Sequence, residues 1–231
     1  MNEQAHHTIA ILGGTGKEGK GLAYRWAKAG YPIIIGSRDA KKAVAAADEL
    51  KAKLAAEAPS PGARIHISGT DNFSAATTAD MIVVTVPYGA HRETIEAVRS
   101  ALQGKVLVDV TVPLVPPKVS RVQMPPAGSA AQEAHEILGP GVEVVDAFQN
   151  ISFELLMGGE EVDCDVLVTG TTKEARGDVL KLVAAAGLAG WDAGPLENSV
   201  VVEGMTSLLI YINKQYGSTH AGIRITGLPK P

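Results

Sequence analysis

The stretch TIAILGGTGKEGKGLAYRWAKAGYPIIIGSR, residues 8–38, decides the fold of this chain. An apolar run, residues 9–12, leads into a glycine-rich turn, a helical pattern follows to Gly30, and a second apolar run ends at Ser37 and Arg38. The turn carries G-x-G-x-x-G between a strand and a helix, the context in which that motif binds dinucleotides. We therefore predict an opening β-α-β unit with a dinucleotide site.

The three motif glycines have separate expected roles. Gly14 permits the tight turn, Gly16 lets a pyrophosphate approach the backbone, and Gly19 lets the helix pack close to the strand. Free N–H groups and the positive dipole end of the helix then face the phosphates.

The end of the second strand indicates which dinucleotide binds. NAD sites usually carry Asp or Glu there to hold the ribose 2′-hydroxyl. This chain has Ser37 and Arg38, with Lys41 and Lys42 beyond, and its nearby acid, Asp39, is expected to begin the next helix. A hydroxyl and a planar guanidinium suit a 2′-phosphate, so we predict NADP(H).

Composition narrows the class of protein. The 231 residues are 45% hydrophobic and 20% charged with a net charge of −4, which suits a globular α/β protein and indicates no nucleic-acid role. The apolar windows are too short to span a bilayer, and the first residues lack the apolar core of a signal peptide. The single cysteine, Cys164, fits a reducing cytoplasm as a small core residue. The six histidines show no metal-ligand spacing, so no metal site is expected.

Strand and helix patterns alternate along the chain, which predicts a Rossmann-type, doubly wound parallel sheet with a small C-terminal β-α-β-α extension packed against it. We expect a dinucleotide-binding domain at residues 1–150 and an acceptor-pocket and dimerisation region at 151–231. Further expected strands are residues 64–68, 81–86, 106–110, 142–147, 165–169 and 189–193, and expected helices are 40–57, 72–79, 89–102, 129–138, 173–186 and 198–214.

Loops after Val86, Val110 and Ala147 follow parallel strands and should meet the glycine-rich turn at the carboxyl edge of the sheet, where ligands of such sheets bind. His91 and His220 lie near this edge, and we expect hydrogen-bonded surface roles for them. The apolar helix around residues 205–212 favours a core or dimer contact over a cofactor contact.

Four segments together resemble the NADPH:coenzyme F420 oxidoreductase family: GGTGKEGKGLAYRWAKAG with IIIGSR, then TVPYGAH, TVPLVPP and DAGPLENSVVVEGMTSLL. The resemblance spans residues 8–228. It implies hydride transfer between nicotinamide C4 and C5 of the deazaflavin of F420, by ring positioning and without a catalytic acid or base. A cytoplasmic homodimer that binds small molecules is the corresponding expectation.

The resemblance also implies which residues bind. The residues that would contact the NADP phosphates are Thr15, Gly16, Lys17, Glu18, Ser37, Arg38 and Lys42. Those that would lie along the dinucleotide are Thr85, Val86, Pro87 and Tyr88. Val112 and Pro113 would lie where the two rings meet, and Ile151 and Gly222 would line the deazaflavin pocket. Gln149 stands where the family pattern has His, and Ser152 where it has Pro. As a neutral amide, Gln149 can donate or accept a hydrogen bond to a ring.

Two other functions remain open from the residues alone. One is an NADPH-dependent reductase of another flavin or of a small carbonyl or imine. The other is an NADP-sensing protein without turnover. Turnover with an acceptor would indicate the reductase, and bound NADP without turnover would indicate the sensing protein.

Overall fold

The computed structural model describes residues 6–57, 65–158 and 162–229. Within them, eight strands form a sheet in the order β3-β2-β1-β4-β5-β6-β7-β8. The strands are β1 Ile9–Leu12, β2 Ile33–Ser37, β3 Ile67–Asp71, β4 Met81–Val84, β5 Val106–Asp109, β6 Glu143–Asp146, β7 Asp165–Gly170 and β8 Ala189–Pro195. The helices are α1 Lys17–Lys28, α2 Ala40–Glu57, α3 Asn72–Thr78, α4 Tyr88–Val98, α5 Ala130–Leu138, α6 Phe153–Leu156, α7 Lys173–Ala185 and α8 Ser199–Tyr216.

The central strand β1 explains why both faces of the sheet are covered. Its residues alternate: Ile9 and Ile11 pack with α1, α2 and α7, whereas Ala10 and Leu12 pack with α3, α4 and α5. Every residue of β1 is fully buried, as expected for a parallel strand between two helical layers. The doubly wound α/β fold is thus confirmed.

The C-terminal extension continues the sheet. Strands β1–β6 run parallel, but β7 pairs antiparallel with β6 through Asp146 and Thr169, and β8 then runs parallel to β7. The expected β-α-β-α order is correct. The predicted direction was wrong, because β7 and β8 run antiparallel to β1–β6. The division at residue 150 stays a prediction, since β7 and β8 extend the sheet that β1–β6 build.

Some element boundaries differ from the expected ones. The third strand begins at Ile67, where its pairing with β2 starts, and runs to Asp71. The fourth helix begins at Tyr88 and ends at Val98, before a single 3-10 turn. Asp39 begins α2 as expected, because its carboxylate accepts hydrogen bonds from the main chain of Lys41 and Lys42. The predicted strand start at residue 64 lies outside the described residues.

Arg25 on α1 fixes the segment that follows β6. Its guanidinium donates to the main-chain oxygens of Leu155 at 2.8 Å, Leu156 at 2.9 Å and Ala186 at 2.9 Å. At Gly21 on the same helix an added Cβ would lie 2.5 Å from Leu156 Cβ, so α6 packs directly on the backbone of α1. The α6 segment is thereby held beside the glycine-rich turn. Among the described helices, none is long and apolar enough to cross a membrane.

Candidate cofactor and acceptor site

A cavity of about 750 Å³ lies at the carboxyl edge of the parallel strands. Loops after β1, β2, β4, β5 and β6 form it, as the sequence predicts, and α8 closes one side. The predicted site residues that line it are Thr15, Gly16, Lys17, Glu18, Ser37, Arg38, Thr85, Val86, Pro87, Tyr88, Val112, Gln149 and Ile151. Gly14, Lys42, Pro113 and Gly222 do not line it. A binding role stays a prediction for all of the site residues.

The glycine-rich turn departs from expectation in one detail. Gly13, with φ +74°, holds the left-handed conformation of the turn, a role that we assigned to Gly14. Gly14 is required for space instead, because a Cβ there would lie 2.7 Å from the main-chain oxygen of Ile11.

The other two motif glycines act in different ways. A Cβ on Gly19 would lie 2.6 Å from Gly14 Cα and 2.7 Å from Thr85 Oγ1, so helix and strands approach too closely for any side chain. A Cβ on Gly16 would meet only the Gly13 oxygen, at 3.5 Å, and Gly16 lines the cavity. A side chain at Gly16 would therefore take up ligand space without disturbing the fold.

The end of β2 presents donors to the cavity. Arg38 is exposed and makes no ion pair within the described residues, while the Ser37 hydroxyl accepts from the main-chain N–H of Asp39 at 3.2 Å. Asn72, at the start of α3, also lines this end, and sequence reasoning missed it. Its position directly after the third parallel strand is the signal that could have found it.

Two charged residues of α1 border the cavity. Lys17 Nζ lies 4.7 Å from the ring centroid of Phe153 on α6. One carboxylate oxygen of Glu18 is buried without a hydrogen-bond partner, and burial raises the pKa of Glu18 to about 8. Glu18 is therefore largely neutral at pH 7, which lowers its repulsion of a phosphate.

The opposite end of the cavity includes a group of apolar side chains. Val112, Leu114, Phe148 and Ile151 line it, and Pro113 sits between two of these lining residues. An apolar lining of this kind excludes water from the place where two rings would meet.

The tail approaches the same end through Ala221. A Cβ on Gly222 would lie 2.5 Å from Cys164 Sγ, so Gly222 packs on the core instead of the cavity. Cys164 is itself buried, as expected.

Helix α8 contributes more to the cavity than the sequence suggested. One face of α8 lines the cavity with Thr206, Ile210 and Asn213, at the spacing i, i+4, i+7. This helical spacing is a signal in the sequence that could have been recognised. Leu208, Tyr211 and Ile212 lie on another face and are exposed.

The turn after β6 has an unusual backbone. Phe148 has a φ of +76° although it is a bulky residue, and its ring packs edge-on against Trp26 with centroids 5.6 Å apart. Strain of this kind persists only where the surroundings fix it, commonly at functional sites. Nothing in the residue pattern indicated it.

The next residue, Gln149, is buried and fixed. Its Nε2 donates to the main-chain oxygen of Asp109 at 2.7 Å and to the Asp146 carboxylate. Both N–H donors of Gln149 thus bind protein acceptors, whereas its Oε1 has no hydrogen-bond partner within the described residues, so a hydrogen bond accepted from a ring stays a prediction.

His91 corrects another expectation. A surface role was wrong: the side chain is fully buried, and its Nε2 lies 2.6 Å from Asp109 Oδ2. The reason is that the first turn of α4 directs His91 toward the end of β5. His220 is exposed, as expected. In the described part of the chain, no cluster of His, Cys, Asp and Glu could hold a metal ion.

Comparison with known proteins agrees with this geometry. Residues 8–113 match the family model of NADP oxidoreductase, coenzyme F420-dependent. The F420-dependent NADP reductase of Methanocaldococcus jannaschii is 40% identical over 225 residues, covering 95% of this chain and 98% of that protein. The F420-dependent NADP reductase of Methanothermobacter marburgensis is 40% identical over 228 residues, 96% and 99% of the two chains.

A solved structure shares the fold. The crystal structure of a candidate F420-dependent NADP reductase from Arthrobacter sp. FB24 has a TM-score of 0.75 and 23% identity, over 94% of this chain and 98% of that chain. With two relatives at 40% identity over nearly their whole length, the chain belongs to the family of F420-dependent NADP reductases.

Proposed function

We propose that this protein is an oxidoreductase that transfers a hydride between NADP(H) and coenzyme F420. The observation that carries the proposal is one cavity that joins the phosphate-binding features of Arg38 and Gly16 to the apolar floor around Val112 and Ile151. The relatives that are 40% identical over nearly their full length are F420-dependent NADP reductases.

The cofactor half of the site suits NADP(H). Arg38 and Ser37 hold the 2′-phosphate, and the N-terminus of α1, beginning at Lys17, faces the pyrophosphate. Lys17 can leave the ring of Phe153 to reach a phosphate. Thr85, Val86, Pro87 and Tyr88 run along the dinucleotide, and Lys42 adds positive charge from outside the cavity.

The acceptor half suits a flat ring. Bound together, the nicotinamide exchanges the hydride at C4 and the deazaflavin at C5. Val112 and Pro113 support the place where the rings meet, and Ile151 with the tail near Gly222 closes the side. These groups hold the two rings in contact and exclude water, so catalysis comes from proximity and orientation.

The assembly is proposed to be a homodimer in the cytoplasm, with residues 1–150 as the NADP-binding part and 151–231 as the acceptor and dimer part. Support for a dimer comes from α8, where Val201 is 62% exposed, Leu208 54% and Tyr211 56%. Such a surface is commonly an interface between proteins.

Isotope transfer tests the proposed reaction. NADPH carrying deuterium on one face of C4, and separately on the other, is mixed with the protein and F420 in ordinary water without oxygen. Direct transfer predicts that one of the two labels, and only one, appears in reduced F420 by mass spectrometry. Reduced F420 without deuterium from either preparation would refute direct hydride transfer, and absence of reduction would refute the proposed function.

A further inference from the structure

Asp109 is a buried residue that is hydrogen-bonded to three separate segments near the cavity. It ends β5 and is fully buried, and each of its acceptor groups holds a different segment. One carboxylate oxygen accepts from the Thr111 N–H at 3.0 Å, and the other lies 2.6 Å from His91 Nε2. Its main-chain oxygen accepts from Gln149 Nε2 at 2.7 Å. The loop after β5, helix α4 and the turn after β6 therefore meet at one residue.

His91 supplies the hydrogen-bond partner of one buried carboxylate oxygen of Asp109. Burial by itself would lower the pKa of His91, but the charge and hydrogen bond of Asp109, together with Glu133 and Glu203, raise it above its ordinary value. The raised pKa favours the protonated imidazole, whose Nε2–H donates to the Asp109 carboxylate. Without this partner, the buried Oδ2 of Asp109 would lose this hydrogen bond.

The second nitrogen of His91 faces the cavity wall. His91 Nδ1 has no hydrogen-bond partner within the described residues and lies 3.7 Å from Glu133 Oε2, which accepts from the Tyr88 hydroxyl at 3.2 Å. Tyr88 lines the cavity, and Arg92 donates to the other Glu133 oxygen at 2.6 Å. His91 thus lies between Asp109, to which it is hydrogen-bonded, and the cavity-lining Tyr88, whose ring centroid is 6.1 Å from its own.

The residues tied together this way border the place where the two rings would meet. Thr111 and Gln149 line the cavity beside Val112, and Gln149 has a second anchor at Asp146. Displacement of reacting atoms by about 1 Å can cost roughly 100-fold in rate, so rigid support of this floor has kinetic consequences.

We propose that His91 and Asp109 form a positioning pair that sets the distance between the nicotinamide and the acceptor ring by fixing the Thr111 loop and Gln149. Neither residue touches a ligand, since both are fully buried. The inference rests on the proposed hydride transfer between NADP(H) and F420.

The test uses His91→Gln and Asp109→Asn in the full-length protein. The rate constant of hydride transfer and its primary deuterium isotope effect are measured in single turnovers with NADPH and C4-deuterated NADPH, and NADPH affinity is measured separately. We expect the rate constant to fall roughly 10- to 100-fold, the isotope effect to become more temperature-dependent, and NADPH affinity to stay unchanged.

Trp191→Phe is the matched control. It removes a 2.8 Å hydrogen bond from Trp191 Nε1 to the buried carboxylate of Asp165, and neither residue lines the cavity. It should lower the melting temperature without changing the isotope effect. Should a His91 variant fail to fold, Gln149→Met breaks the same linkage from the other end and should give the same isotope signature.

Two results separate the possible failures. If the wild-type protein does not reduce F420 with NADPH, the proposed function fails. If the wild type is active and the folded His91, Asp109 or Gln149 variants keep its transfer rate and isotope effect, the pair is merely structural and this inference is overturned.

Discussion

The carboxylate of Glu203 accepts a hydrogen bond from the main-chain N–H of Ala130 at 2.7 Å, so α8 holds the first turn of α5. The next N–H, from Ala131, reaches the same carboxylate at 3.0 Å, and Ser129 caps the helix through Gln132. A helix N-terminus leaves such N–H groups without helical partners and favours negative charge. The contact fixes the face of α8 that lines the cavity.

Replacing Glu203 by Gln tests that contact. Burial raises the pKa of Glu203 to about 8, so the measurement is made above that pH, where the ionised carboxylate offers two acceptors and the amide only one. One buried N–H then loses its partner in the variant, which we expect to cost about 1–3 kcal/mol of unfolding free energy. Urea denaturation measures the change. Glu197→Gln, at an exposed position on the turn before α8, is the control and should be neutral. Equal stability of both variants would mean that the cap is dispensable.

Arg38 is predicted to select NADPH over NADH. Loss of its charge-assisted contact with the 2′-phosphate should cost about 1.5–3 kcal/mol, roughly 10- to 150-fold in NADPH affinity. NADH affinity should change little in Arg38→Ala. Lys41→Ala, an exposed neighbour that does not line the cavity, should bind NADPH as the wild type does. Equal wild-type affinities for the two dinucleotides would contradict the assignment of the Ser37–Arg38 site.

Gly16 and Gly19 should separate binding from folding. Gly16→Val places its side chain in the cavity, so NADPH binding is lost while the melting temperature stays close to that of the wild type. Gly19→Ala forces a Cβ to within 2.6 Å of Gly14 Cα and should lower the melting temperature. Circular-dichroism melts and NADPH titrations measure both. Tight NADPH binding by Gly16→Val would show that the turn does not hold the pyrophosphate.

Glu18 gives the protein a pH dependence of defined sign. The folded protein keeps a proton, with a pKa of about 8, that the unfolded chain releases near 4.5. The free energy of unfolding therefore falls as pH rises from about 4.5 to about 8. Burial also raises the pKa of Glu203 to about 8, so Glu18→Gln should remove part of this slope and not all of it.

NADPH binding provides the second measurement on Glu18. Above pH 8 the wild-type carboxylate becomes charged beside the phosphates, so affinity should fall between pH 7 and pH 9, where the 2′-phosphate (pKa about 6) is already ionised. Glu18→Gln should bind equally well across this range. The same decline in the variant would assign the effect to another group.

The sequence predicts well what local patterns encode. Residues 8–38 define their own strand, turn and helix, so the cofactor end of the cavity, including Ser37 and Arg38, follows from them. The direction of β7 was mispredicted, because a short apolar strand has the same pattern in either direction.

The polar contacts below the cavity could not be read from the sequence. The bond of His91 to Asp109, and of Gln149 to both Asp109 and Asp146, joins residues from separate segments that meet only in the folded chain. Likewise, Gly222 packs on Cys164 because the tail returns across the start of β7. Such contacts depend on tertiary packing, and residue spacing does not predict them.

Stopped-flow absorbance of F420 tests the central claim most directly. The wild-type protein is mixed with NADPH and F420 without oxygen, and the deazaflavin band is followed, with NADH in place of NADPH and with FMN and FAD in place of F420 as comparisons. We expect fast loss of the F420 band with NADPH, much slower loss with NADH, and no comparable reduction of FMN or FAD. Unchanged F420 together with turnover of FMN, FAD or another acceptor would contradict it.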